Sequence, residues 1–289
     1  MNKAYLLALS LGVLTATPAF CADLPWEMKL PFKEATIHYE LSGSQQGQET
    51  LYIKDSGKLR ARYHKASATM MGVTTSNDTV EFIDPDWIYS YDLVAKTGAK
   101  STNPAKIYQA EYTKLSATEK KNFEKNAQEF GAGMMSQFGG SVTRSSGQVL
   151  GYDCEVITVN NGMSTVYQLR GSDLPLRSDV AVMGMKNSTV ATKVDTSSAI
   201  PAAAFTHPAG ITAVHDTEAD TMMTSTIQGM VQSLKDPDGA KKMQQGGAAT
   251  MMAPAMQQAM EEDGMSKEEQ QEMMRQMQEA MQQMQKKQR

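Results

Sequence analysis

The chain has 289 residues and a formal net charge of −4, with acidic and basic residues interspersed rather than gathered into the basic patch a nucleic-acid surface requires. No apolar run reaches the roughly 20 residues that a membrane-crossing helix needs. Between the start of the chain and a methionine-rich end there is enough polypeptide for one good core, or at most two small ones.

Lys3, the apolar run from Ala4 to Leu14 and the breaker-rich stretch up to Ala22 have the layout of a secretory signal peptide. A periplasmic protein cleaved after Cys21 or Ala22 is expected. Phe20 stands where a lipoprotein carries a small residue before its acylated cysteine, so anchoring at Cys21 is not expected. Cleavage leaves Cys154 without an intramolecular disulfide partner, and its mid-strand position reads as a small buried apolar residue. Residues 23–33 form an extended lead-in to a domain expected over 34–215.

That domain opens with short alternating strands. In "ATIHYEL" Ile37, Tyr39 and Leu41 share one side, with Thr36, His38 and Glu40 on the other. "TLYIK" and "KLRARYH" flank Asp55, Ser56 and Gly57, a hairpin turn, and the second strand sets Leu59, Ala61 and Tyr63 against Lys58, Arg60, Arg62 and His64. "TVEFI" and "WIYSYDL" flank the turn cluster Asp84–Pro85–Asp86, with Trp87, Tyr89, Tyr91 and Leu93 on one face.

A helix follows. Ser116 and Glu119 form a capping box, and Phe123, Ala127, Phe130 and Met134 recur at helical spacing, predicting an amphipathic helix from Ser116 to about Phe138 lying across the sheet. Strands resume at Gln148: "YDCEVITV" and "STVYQLR" flank Asn160, Asn161 and Gly162, a strong hairpin signal, before "LPLRSDVAVM" and "STVATKVD". Strand runs on either side of one helical stretch predict an α+β fold with a curved antiparallel sheet, an incomplete barrel covered by helices.

Beyond Ile211 the composition changes. Asp216 caps a helix expected over 216–238, with the stripe Met223, Ile227, Met230 and Leu234. The segment 239–289 reads as a helical or disordered methionine- and glutamine-rich tail. From Met243 to Arg289 there are 11 methionines and 12 glutamines, and no Val, Ile, Leu, Phe, Trp or Tyr, too little for an ordinary core. Thioethers suit Cu(I), and Met273, Met277, Met281 and Met284 share a helical face. Without histidine or cysteine nearby, the stretch reads first as an adaptable helix face: Met273, Met277, Ala280 and Met284 follow a short a/d seam.

The order of leader, strand meander, helix and further strands, with "GYDCEVITV" at Gly151–Val159 and "F-x-x-P-x-G" at Phe205–Gly210, resembles the lipoprotein-carrier superfamily built on the LolA and RseB fold. The resemblance covers roughly residues 34–211 and is closest to uncharacterised exported domains of that fold. It implies an incomplete barrel lined by apolar side chains that takes acyl chains or other amphiphiles. The lining candidates are Ile37, Tyr39, Leu51, Ile53, Leu59, Tyr63, Trp87, Tyr89 and Tyr91.

Catalytic patterns are not evident. The histidines, His38, His64, His207 and His215, are scattered, and there is no H-E-x-x-H, C-x-x-C, G-x-S-x-G or phosphate loop. His38 and His64 fall on inferred polar, solvent-facing strand faces. The expectation is a non-enzymatic exported protein without a cofactor, binding an amphiphilic ligand or an envelope protein. Cu(I) binding or oxidation buffering by the tail, and self-association through the tail, are the alternatives.

Overall fold

The computed structural model describes residues 29–70, 73–137, 142–159, 162–182 and 185–243. The first meander comprises β1 (Ala35–Gly43), β2 (Gln45–Lys54), β3 (Leu59–Met70), β4 (Val73–Ile83), β5 (Trp87–Asp92) and β6 (Thr97–Thr102). Helices α1 (Pro104–Thr113) and α2 (Ala117–Gln137) lead to the second meander: β7 (Val142–Val149), β8 (Tyr152–Val159), β9 (Ser164–Leu169), β10 (Pro175–Val182) and β11 (Met185–Asp195). A short β12 (Ala213–His215) and α3 (Thr217–Leu234) follow.

Among the described residues twelve strands form one sheet, in the order β12-β6-β5-β4-β3-β2-β1-β11-β10-β9-β8-β7. Within each meander consecutive strands pair antiparallel, and β1 joins the two meanders by pairing with β11. Of these strands β12 alone runs parallel to its neighbour, β6. The sheet ends at β12 and β7 without closing, as the expected incomplete curved sheet does. Its turns follow from composition: Asp55, Ser56 and Gly57 all have positive φ, which aspartate and glycine tolerate best. At the β4–β5 hairpin the Asp84 carboxylate accepts from the backbone N–H of Asp86 at 2.8 Å and of Trp87 at 2.7 Å.

The core changes sides of the sheet between β2 and β3. Directly opposed residues of paired strands share a face, and one such row runs Ile37, Leu51, Arg62, Glu81, Ser90. The row beside it runs Thr50, Tyr63, Val80, Tyr91 on the opposite face. Apolar residues of β1 and β2 therefore lie on one side, and those of β3 to β5 on the other.

The first core holds Ile37, Leu51 and Ile53 together with Cys154, Leu169, Leu174 and Leu176, with Leu30 and Phe32 packed on its margin. The sheet thus curls far enough to bring the β8–β9 region into one cluster with β1 and β2. Ile37 and Ile53 are fully buried, each contributing about 1.5–3 kcal/mol of transfer free energy. Cys154 is buried as expected, its Sγ–H donating to the Tyr152 carbonyl at 3.5 Å, and burial pushes its thiol pKa up. The second core, Ala61, Val80, Phe82 and Tyr91, lies on the other face.

The helices form a third cluster. Phe123 and Phe130 of α2 meet Ile107 of α1 and Ile227, Val231 and Leu234 of α3. The sequence places α2 across the sheet; its apolar stripe is instead buried against other helices. Its capping box forms as the sequence indicates: Ser116 and Glu119 exchange hydrogen bonds of 2.9 and 3.3 Å. Asn126, buried on α2, donates to the carbonyls of Leu234 at 2.8 Å and Asp236 at 2.5 Å, satisfying the C-terminal end of α3. α3 is tied to the sheet by Asp220, which accepts from the Thr102 N–H and hydroxyl at 2.6 and 2.7 Å and pairs with His215 at 2.7 Å.

Candidate ligand-binding face

The Asp84 turn sets the register of β5 so that Tyr89 faces Phe82 and Tyr91 faces Val80. Rings from four strands then form an edge-to-face ladder: Tyr52 to Tyr63 at 5.8 Å, Tyr63 to Phe82 at 6.2 Å and Phe82 to Tyr91 at 6.0 Å. Gly98 on β6 makes room at its end, because a Cβ there would come within 2.8 Å of the Tyr91 ring and 3.1 Å of the Thr212 carbonyl.

The segment 201–212 crosses this ladder as a strap. It begins with a short 3₁₀ turn, Ala202–Phe205, and its prolines, Pro201 and Pro208, carry no N–H for sheet pairing. Side chains hold it. The Tyr63 hydroxyl donates to the Ala204 carbonyl at 3.1 Å, and the Lys54 ammonium sits 5.4 Å from the Phe205 ring centre. His207 enters the ladder, its ring 4.7 Å from Phe82, 4.6 Å from Tyr89 and 5.7 Å from Tyr91, with Nδ1 2.7 Å from the Tyr91 hydroxyl.

Burial raises the pKa of Tyr63, Tyr89 and Tyr91, and the Asp84 and Asp86 carboxylates add to the effect on Tyr89. All three phenols therefore keep their protons at neutral pH and can donate hydrogen bonds. The result is an amphipathic platform of rings with hydroxyl tips.

The residues expected to line one hollow divide between the two faces. Ile37, Tyr39, Leu51 and Ile53 lie in the first core, where the Tyr39 hydroxyl donates to the Pro175 carbonyl at 3.0 Å and burial raises its pKa. Tyr63, Tyr89 and Tyr91 belong to the ladder. Leu59 is half-buried at the start of β3, and Trp87 sits near β12, with the Lys100 ammonium 4.6 Å over its ring and His215 edge-on at 5.0 Å. His38 and His64, expected to face solvent, are half-buried: His38 meets the Thr50 hydroxyl at 3.2 Å, and His64 meets Glu49 at 3.1 Å and Gln45 at 3.3 Å.

Two surface hollows, of about 340 and 350 Å³, lie elsewhere, one bordered by His38, Glu40, Gln48 and Glu49, the other by Gly43, Val180 and Lys186. Beneath β3, burial lowers the pKa of Arg60, and its Nε has no hydrogen-bond partner among the described residues. Asp173, opposite in charge and near enough to be felt electrostatically, is itself shifted upward by burial. No group of three or more His, Cys, Asp or Glu among the described residues is placed to hold a metal ion. Met273, Met277, Met281 and Met284 lie outside the described residues. The strap and the residues it touches were only partly legible beforehand: the F-x-x-P-x-G spacing at Phe205–Gly210 stood out, but nothing local to His207 signals that it lands among Phe82, Tyr89 and Tyr91.

The fold and site together define an open, mostly antiparallel sheet with a strapped aromatic face. No family model matches the chain, and no curated protein matches it. Solved structures resemble it only distantly. An uncharacterized conserved protein from Thermus thermophilus shares 8% identity over 64% of this chain and 91% of its own, with a TM-score of 0.36. MucB shares 11% identity over 63% of this chain and 60% of its own, TM-score 0.32. PNGF-II shares 14% over 67% of this chain and 33% of its own, TM-score 0.30. Likenesses of this size leave the neighbours' activities with those proteins.

Proposed function

We propose that this chain is an exported, non-catalytic binding protein that presents the aromatic face of β3 to β5 to an amphiphilic ligand or a partner protein in the cell envelope. The observation that carries the reading is the ladder itself: Tyr63, Phe82, Tyr89 and Tyr91 form a ring-lined surface that, among the described residues, is crossed by a side-chain-held strap. Apolar matter laid on such a surface gains about 0.8 kcal/mol per methylene removed from water. The phenol tips add orienting hydrogen bonds, the usual division of labour in a binding site. The leader-like start of the chain supports an envelope location.

Titration with a dansylated C11 fatty acid tests the reading. Saturable binding is expected, weakened about tenfold by Tyr89→Ala, which removes roughly 1.4 kcal/mol of ring contact. Absence of binding by the fatty acid, together with no protein cross-linked to a photoreactive group at position 89 in envelope extracts, would falsify it.

A further inference from the structure

The strap is bound to the aromatic face in the way a separate ligand would be. Ala204 is buried, Phe205 is half-buried under Lys54, and His207, though exposed to solvent, sets its ring against Phe82, Tyr89 and Tyr91. Beyond the strap the chain has further anchors: Ile200 is buried before it, Ile211 and Ala213 pack at the margin of the same core after it, and β12 pairs with β6. Gly210, with φ +76, gives the downstream end a residue tolerant of backbone change. Residues 201–210 can therefore leave the face while both ends stay fixed.

The bound segment also specifies a chemistry. After the 3₁₀ turn the chain is extended at Thr206, and His207 directly precedes Pro208, a position at which helical backbone is disfavoured. Extended, proline-bearing segments lying on rows of aromatic rings are a recurring mode of peptide recognition, because little conformational entropy remains to be lost.

We propose that residues 201–210 are a built-in competitor for the aromatic face, displaced by an extended peptide of a partner protein that carries an aromatic or imidazole side chain directly before a proline. The inference rests on that face being the binding surface. A tethered strap acts at an effective concentration of roughly millimolar, so it keeps weak encounters off the face and yields to a peptide that is more tightly held.

The test uses the full chain and a fluorescein-labelled peptide with the sequence of residues 201–211, followed by anisotropy. Phe205→Ala/His207→Ala, which strips the strap of its rings, should bind the peptide at least about tenfold more tightly than the unaltered chain. Adding Tyr89→Ala should remove the gain. Equal affinity in the unaltered and double-variant chains, or a gain that survives Tyr89→Ala, overturns the proposal. Should the double variant lose the slow amide exchange of β3 to β5, the unaltered chain decides: excess peptide should speed exchange at 202–210 and leave β3 to β5 slow, and no change at 202–210 overturns it. Fatty-acid binding that is identical with and without the strap's rings, alongside a failed peptide result, leaves the binding face standing and removes only the competitor.

Discussion

At the scale of single residues, several side chains bind elements together rather than merely filling space. Asn126 satisfies two carbonyls at the end of α3 from within the helical cluster. Replacing it by Ala leaves them without that donor, and a loss of about 1–3 kcal/mol is expected in denaturant unfolding. Glu119 couples the start of α2 to the end of α3, taking the Ser116 N–H and the Lys235 ammonium at 3.2 Å. Hydrogen bonds from Ser116, then Lys235, lower its pKa from 4.5 to about 2. For a carboxylate with a depressed folded-state pKa, the stabilisation is present above the unfolded value and is lost as pH falls through the folded one. The melting temperature of Glu119→Gln should accordingly lie below that of the unaltered chain at neutral pH and converge with it towards pH 2. A gap that persists at pH 2 would assign the effect to geometry rather than charge.

At the scale of elements, bonds among the described residues join the helical cluster to the sheet, those of Asp220 to Thr102 and His215 and of Lys106 to Asp86 among them. Ile227→Ala removes a buried side chain from the helix core, a change that typically costs about 2–5 kcal/mol. Hydrogen exchange should show faster opening across α1 to α3, with β1 and β2 unchanged; a uniform acceleration would mean that the helices and sheet open as one unit. Close approach sets another joint. Gly98→Ala would press a methyl against the Tyr91 ring and the Thr212 carbonyl, so a loss of about 1–3 kcal/mol is expected, together with faster exchange in β12.

Elements differed in how plainly the sequence announced them. The capping box and the spacing of Phe123 and Phe130 made α2 readable, because both signals are local. α1 has an Asn103–Pro104 start, with Asn103 accepting from the Ala105 N–H at 3.0 Å; that cue was available, but its buried residues are only Ile107 and Glu111, too sparse to display a stripe. β7 begins at Val142, ahead of the expected Gln148, since four of its eight residues in a row, from Thr143 to Ser146, are exposed and show no alternation. β12 is three residues long and pairs in parallel with a strand more than a hundred positions earlier, a relation that no neighbouring residue encodes.

At the scale of the whole molecule, alternation within each strand was legible and the assembly of those strands was not. Ile37 and Tyr39, which alternation puts on one face of β1, are both buried, and so is Tyr91 of β5. Whether they shared a hollow depended on the offset introduced at Asp55–Gly57, which sets Ile53 opposite Arg60 and Tyr52 opposite Ala61. A shift of one residue reverses every face, and the apolar stripe of β3 lies across from that of β2.

This reversal gives the molecule two sides that answer to different constraints. The packing that curls the sheet together lies behind β1 and β2, whereas the rings that meet the strap lie in front of β3 to β5. Substitutions can therefore accumulate at Tyr89 or Phe205, retuning what the surface accepts, while Ile37, Leu51 and Leu176 remain undisturbed. The molecule is built as a recognition surface that can be rewritten without renegotiating its foundation.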